Sequence, residues 1–149
     1  MITPLDETSS ITGDVIELRI PSSAAYVTVA RQTVEGVARR MPFARAEVED
    51  VKLAVGEACN NAIKHGVNGA KSAPVTIRCV VNHGSLEIEV HNYHNADAPR
   101  PEVNSAPDHN REGGLGFHMM RQLVDRFEFV WGEDFALVRM VKTVRGVDS

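Results

Sequence analysis

The feature that most restricts the fold is the stretch from about residue 44 to residue 65. There Val48, Val51, Val55, Ala58, Cys59 and Ala62 recur at helical spacing until Gly66. A helix of that length with one apolar stripe must lie along a sheet or another helix to bury it. Upstream, Ile16, Leu18 and Ile20 alternate with Glu17 and Arg19, a half-buried strand stopped by Pro21. Ser22 or Ser23 then caps a first helix that turns Val27, Ala30, Val34, Val37, Ala38 and Met41 inward. Its other face offers Arg31, Glu35 and Arg39 to solvent or a partner, and Pro42 breaks it.

Beyond Gly66 the period changes to two. Val75, Ile77, Cys79 and Val81 form one strand, Asn82-His83-Gly84-Ser85 reverses the chain, and Leu86, Ile88 and Val90 return. From about 94 to 113 the pattern disappears, with Pro99, Pro101 and Pro107 present and Val103 the only large aliphatic side chain. So long a patternless stretch inside a domain reads as a lid or binding loop. Gly113-Gly114-Leu115-Gly116 then opens a short helix carrying Phe117, Met120, Leu123 and Val124. Phe127, Phe129 and Trp131 make a further strand, Gly132-Glu133-Asp134 turns it, and Phe135, Leu137, Arg139 and Val141 come back. The order strand, helix, helix, hairpin, lid, helix, hairpin predicts an α+β fold, a mostly antiparallel sheet with helices on one face. Residues 1–12 read as a flexible arm, 13–144 as one domain and 145–149 as a tail.

Composition narrows the function classes. The chain has 149 residues, 43% hydrophobic and 24% charged, with a formal charge of −4 and no long run of either sign. That is globular composition without the clustered basic footprint of a nucleic-acid binder. No apolar run is long enough to span a bilayer, and the polar start with Asp6 and Glu7 is not a signal peptide. Cys59 and Cys79 lie inside regular patterns, as reduced core thiols do, which points to the cytoplasm.

Glu57, Asn61 and His65 stand at i, i+4 and i+8, a slowly drifting row along the edge of the apolar stripe. Such a row can line a cleft; it also fits the polar border of an ordinary amphipathic helix. Gly113, Gly114 and Gly116 would let a helix start approach a phosphate, whose charge suits the free N–H groups there. His91, His94 and His109 have neither thiolates nor paired spacing that would favour zinc.

The string Glu57-Ala58-x-x-Asn61-Ala62-x-x-His65-Gly66 resembles the N box of the Bergerat-fold ATPases. Gly113-Gly114-Leu115-Gly116-Phe117 and the helix after it resemble the second glycine box of the anti-sigma-factor serine kinases of that fold. The closing Val138-Arg139-Met140-Val141-Lys142 resembles their last strand. The resemblance covers roughly Val15 to Lys142. It implies a two-layer α/β sandwich, a mostly antiparallel mixed sheet under three helices. It also implies Mg²⁺ and ATP as cofactors, with Glu57 catalytic and Asn61 the metal ligand. His65, Asn92, Gly113, Gly114, Leu115, Gly116 and Phe117 would join Asn61 at the nucleotide. The function implied is an anti-sigma factor that phosphorylates its antagonist on Ser and so controls sigma-factor release. The partners implied are that antagonist and an RNA polymerase sigma factor, met by a homodimer through its first helix, with Arg31 as the contact singled out.

One box departs from the family. Where the family carries Asp-x-Gly-x-Gly, this chain has Asn92-Tyr93-His94-Asn95-Ala96. Asn92 can still accept a hydrogen bond from an adenine amino group, without the charge-assisted part. Weaker nucleotide binding is expected, and the alternative is a pseudokinase that holds its partner by protein contacts alone. A sensor histidine kinase fits less well, because none of the six histidines is followed by Asp or Glu.

Overall fold

In the computed structural model, residues 13–66, 73–101 and 114–145 are described. The expected arm, most of the lid including His109 and Gly113, and most of the tail lie outside them. Five strands and three helices follow the expected order: β1 (Val15–Ile20), α1 (Val27–Ala38), α2 (Arg45–His65), β2 (Val75–Asn82), β3 (Ser85–Tyr93), α3 (Gly114–Leu123), β4 (Arg126–Trp131) and β5 (Phe135–Thr143). The spatial order is β1-β2-β3-β5-β4. All four pairings are antiparallel, so the sheet expected to be mostly so is wholly so among the described strands.

Registers carry the alternation across the sheet. Ile77 faces Val90, which faces Val138, which faces Phe129; one row on, Cys79, Ile88, Met140 and Phe127 line up in the same way. These rows form the floor under the helices, and α2 lies on them through Val51, Ala54, Val55, Ala58 and Cys59, each at most 1% exposed. The hairpin between β2 and β3 turns at Gly84, whose φ of 81° is the left-handed conformation glycine adopts freely.

The first helix is shorter than its apolar spacing suggested. Ser23 does cap, accepting from the Ala25 N–H at 3.4 Å, but what it caps is a single 3-10 turn, Ala24–Tyr26. At the other end α1 stops at Ala38, so Met41 packs on the core from the following turn. The cause is local: proline disfavours helical geometry in the residue before it, and Met41 precedes Pro42. At the start of α2, Glu47 Oε1 accepts from the Ala44 N–H at 2.7 Å, half of a capping box.

The other face of the sheet carries a charge ladder. Glu17, Arg78, Glu89, Arg139 and Glu128 lie opposite one another across all five strands, alternating in sign. Arg139 bonds Glu89 at 2.6 Å and Glu128 at 2.6 Å.

Candidate functional site

Three segments far apart in sequence meet beside the polar row of α2. Asn61 is 7% exposed, and its Nδ2 donates to the Glu57 carbonyl at 3.0 Å. With the amide nitrogen spent on the helix backbone, Oδ1 is the atom that remains for a cation. The first turn of α3 is pressed onto this row. A Cβ placed on Gly116 would sit 2.8 Å from Asn61 Nδ2 and 3.0 Å from Glu57 Oε1. Even a methyl group there would push these two side chains aside, and glycine lets the helix start come this close without moving them.

Gly114, Leu115 and Gly116 lie within the first turn of α3. The N–H groups of that turn have no partner within the helix, so they are the donors available to an anion. Phe117, expected at the nucleotide, is 1% exposed and forms the bottom of the site, edge-on to Phe129 at 5.0 Å and Phe127 at 6.2 Å.

A cleft opens between α2, α3 and the last three strands in space. It is lined by Ala58, Asn61, Ala62 and His65 of α2, Val90 and Asn92 of β3, Ala136 and Val138 of β5, Phe129 and Trp131 of β4, with Phe117 and Pro101. Gly66 closes its far end. The residue is in extended geometry, φ −83° and ψ −173°, so the helix does not end there on a left-handed residue. A Cβ at Gly66 would lie 2.8 Å from the Ala62 carbonyl and 3.3 Å from Asn92 Nδ2 and the Tyr93 carbonyl. The N-box glycine thus lets the end of α2 approach the end of β3, which places His65 and Asn92 on one cleft.

Asn92 is 5% exposed, and its Nδ2 donates to the Tyr93 carbonyl at 3.2 Å. His94, which stands in place of a family glycine, is 3% exposed. Its Nδ1 lies 2.6 Å from the Asn95 carbonyl, and its Nε2 lies 3.1 Å and 2.9 Å from the Gly132 and Phe135 carbonyls. The ring stacks on Trp131, with centroids 3.6 Å apart and planes within 5°.

Arg31 stands apart from the cleft. It is half-buried, and its guanidinium lies over Gly56, where a Cβ would come within 3.2 Å of it. Sequence reasoning missed Phe129, Trp131, Ala136 and Pro101 as cleft walls, along with Arg100, whose guanidinium lies 5.7 Å over the Phe129 ring. The aromatic alternation of β4 held the signal, because a strand that turns Phe127 inward turns Phe129 and Trp131 the same way.

A two-layer sandwich with a polar helix row facing a glycine-bearing helix start defines a class of nucleotide-binding domain, and similarity to known proteins agrees with it. Residues 20–142 match the histidine kinase-like ATPase domain family. The chain belongs to that family, and within it to the group of serine-protein kinases RsbW. The RsbW of Bacillus subtilis (strain 168) is 35% identical over 141 residues, 89% of this chain and 88% of that protein. The RsbW of Bacillus pumilus is 37% identical over 127 residues, 78% of each chain. Among solved structures, the RsbU and RsbW domains of a Mycobacterium tuberculosis protein align with a TM-score of 0.65 at 13% identity, covering 91% of this chain and 35% of that one. The SiaB–SiaC complex of Pseudomonas aeruginosa gives a TM-score of 0.63 at 14% identity, covering 85% of this chain and 89% of the matched one. These two likenesses concern the fold.

Proposed function

We propose that the cleft binds Mg-ATP and that the chain is an anti-sigma factor and serine-protein kinase. It passes the γ-phosphoryl group to a serine of an anti-sigma-factor antagonist and so controls release of a sigma factor. The observation that carries this reading is the contact of Gly116 with both Asn61 and Glu57. It brings a helix N-terminus, a hard oxygen ligand and a carboxylate to one point.

The roles follow from the chemistry of each group. The first turn of α3 offers N–H donors to the phosphates. Asn61 Oδ1 would hold the Mg²⁺, which would supply positive charge against the phosphates. Glu57 accepts the proton of the serine hydroxyl as its oxygen bonds to the γ-phosphorus and the bond to ADP breaks. His65 borders the nucleotide and Asn92 accepts from the adenine amino group. No helix among the described residues is long and apolar enough to cross a membrane. We place the protein in the cytoplasm as a homodimer, with Arg31 of α1 at the partner surface.

A second reading has its own observation. His94 is locked where the family has a glycine, which favours a pseudokinase that binds partners without transfer. Incubation with labelled ATP, Mg²⁺ and the antagonist, beside a Glu57→Ala variant, separates the two. Label on the antagonist that disappears in the variant supports the kinase. No label from either, with the partner still bound, overturns it.

A further inference from the structure

We infer that the indole of Trp131, held in place by His94, is the surface on which the base of the bound nucleotide stacks. This deepens the proposed function and rests on its reading of the cleft as an ATP site. It assigns the base-binding end to residues outside the family's boxes.

The row across the sheet at that end is Asn92, Ala136 and Trp131, since Ala136 lies opposite Asn92 on one side and Trp131 on the other. The neighbouring rows are filled, Val90–Val138–Phe129 and Ile88–Met140–Phe127. At Ala136 the middle of the row shrinks to a methyl group. Strands lie about 4.8 Å apart, so about 10 Å separates the backbones of Asn92 and Trp131 across Ala136. Asn92 and Ala136 are each 5% exposed, so this slot is covered and a base enters it as the end of α2 gives way. A flat aromatic group entering this slot meets a ring on one side and an amide on the other. All three residues line the same cleft as Asn61 and His65, so the slot continues from the phosphate end.

The ring is preorganised. His94 covers one face of the indole at 3.6 Å, nearly parallel, and Phe129 leans on it with centroids 6.0 Å apart. His94 is held beside Trp131, because a ring N–H donates into a cage of three backbone carbonyls 2.6–3.1 Å from its nitrogens and its backbone N–H donates to the Asp134 carbonyl at 3.0 Å. The end of β3 is thereby fastened to the β4–β5 turn. A side chain fixed before binding loses little conformational entropy when a ligand stacks on it. His94 itself does not reach the base, being 3% exposed with its ring nitrogens turned to backbone carbonyls. It is a positioning residue, and Trp131, half-buried at the cleft, is the contact.

The test uses the full chain and two probes, Mg-ATP and Mg-tripolyphosphate, the second having phosphates and no base. Trp131 is the single tryptophan, so ATP should quench the intrinsic emission while tripolyphosphate leaves it unchanged. In calorimetry, Trp131→Ala should weaken ATP at least about tenfold and bind tripolyphosphate as the wild type does. Trp131→Phe, which keeps a stacking face, should recover most of the loss. His94→Gln should raise KM for ATP several-fold with much less change in kcat, a split that general loosening of the fold would not give. ATP affinity untouched by Trp131→Ala, or quenching by tripolyphosphate alone, overturns the stacking inference and leaves the ATP site standing. A wild-type protein that binds neither probe overturns both.

Discussion

At Gly116 one methyl group would separate two functions that usually fail together, stability and chemistry. Alanine is the better helix former by up to about 1 kcal/mol, so Gly116→Ala should leave the melting temperature unchanged or slightly raised. The same methyl would push on Asn61 Nδ2 and Glu57 Oε1, at 2.8 and 3.0 Å. A misplacement of reacting groups by about 1 Å costs as much as about a hundredfold in rate. Phosphoryl transfer by the variant is therefore expected to fall tenfold to a hundredfold at unchanged stability, and full activity would show that the row is not the reacting site. Asn92→Asp should also move two observables in opposite directions. The carboxylate would face the Tyr93 carbonyl that Asn92 Nδ2 now bonds at 3.2 Å. Leaving that acceptor unpaired and burying a charge should lower the melting temperature of the nucleotide-free protein, by about 1–3 kcal/mol in stability. With ATP bound, a charge-assisted bond to the adenine amino group replaces a neutral one and should tighten binding severalfold. Calorimetry beside thermal melts reads both, and unchanged ATP affinity would remove Asn92 from the base site.

Elements differ in how far their sequence foretells their role. The stripe of α2 and the alternation of β2 and β3 were legible because each repeats over many residues and answers to one apolar surface. The polar row of α2 was legible too, since Glu57, Asn61 and His65 share a helix. The packing of α3 onto that row was not, because Gly116 meets Asn61 only through tertiary contact. His94 was illegible for the same reason, as two of its carbonyl partners lie 38 and 41 residues away. Nor did sequence distinguish Arg31 lying over Gly56 from a fully solvated arginine. The open face of the sheet is a further case, for nothing in its alternating charges marks Glu89 as the residue only 2% exposed. Burial pushes its carboxyl up to about 7 from an ordinary 4.5, against the pull of Arg139 and, more weakly, Arg78, while Glu87 adds to the rise. A carboxyl whose folded value is raised holds a proton that the unfolded chain has already released between those two pH values. Stability from this group is present below about 4.5 and is lost as pH rises through 7, by on the order of 3 kcal/mol. Urea melts from pH 4.5 to 8 should show that decline superimposed on the other titrations, and Glu89→Gln should flatten it. An unchanged slope in the variant would assign the effect to another group.

On the scale of the whole molecule, the cleft is where parts distant in sequence are brought together, and a ligand that spans it must couple them. Its lining comes from α2, α3 and three strands, with Pro101 from the segment after β3. A nucleotide bound along it touches all of these elements at once, so binding should stabilise the fold as one unit. At a hundred times Kd a ligand specific for the folded state adds about 2.7 kcal/mol. For a chain of this size that raises the melting temperature by about 5–10 °C. Mg-ATP should give such a shift, and chelation of the metal should shrink it, because Asn61 Oδ1 then has no cation to hold against the phosphates. Asn61→Ala should show the small shift with or without Mg²⁺. Glu57→Ala should keep the full shift and lose phosphoryl transfer, since its carboxylate is assigned to the proton and not to the nucleotide. That pair of variants divides binding from chemistry in the same melts. A wild-type protein whose melting temperature ignores saturating Mg-ATP would mean that the cleft holds something other than ATP. A full shift in the wild type with no transfer to the antagonist would leave the nucleotide site intact and make the protein a partner-binding pseudokinase.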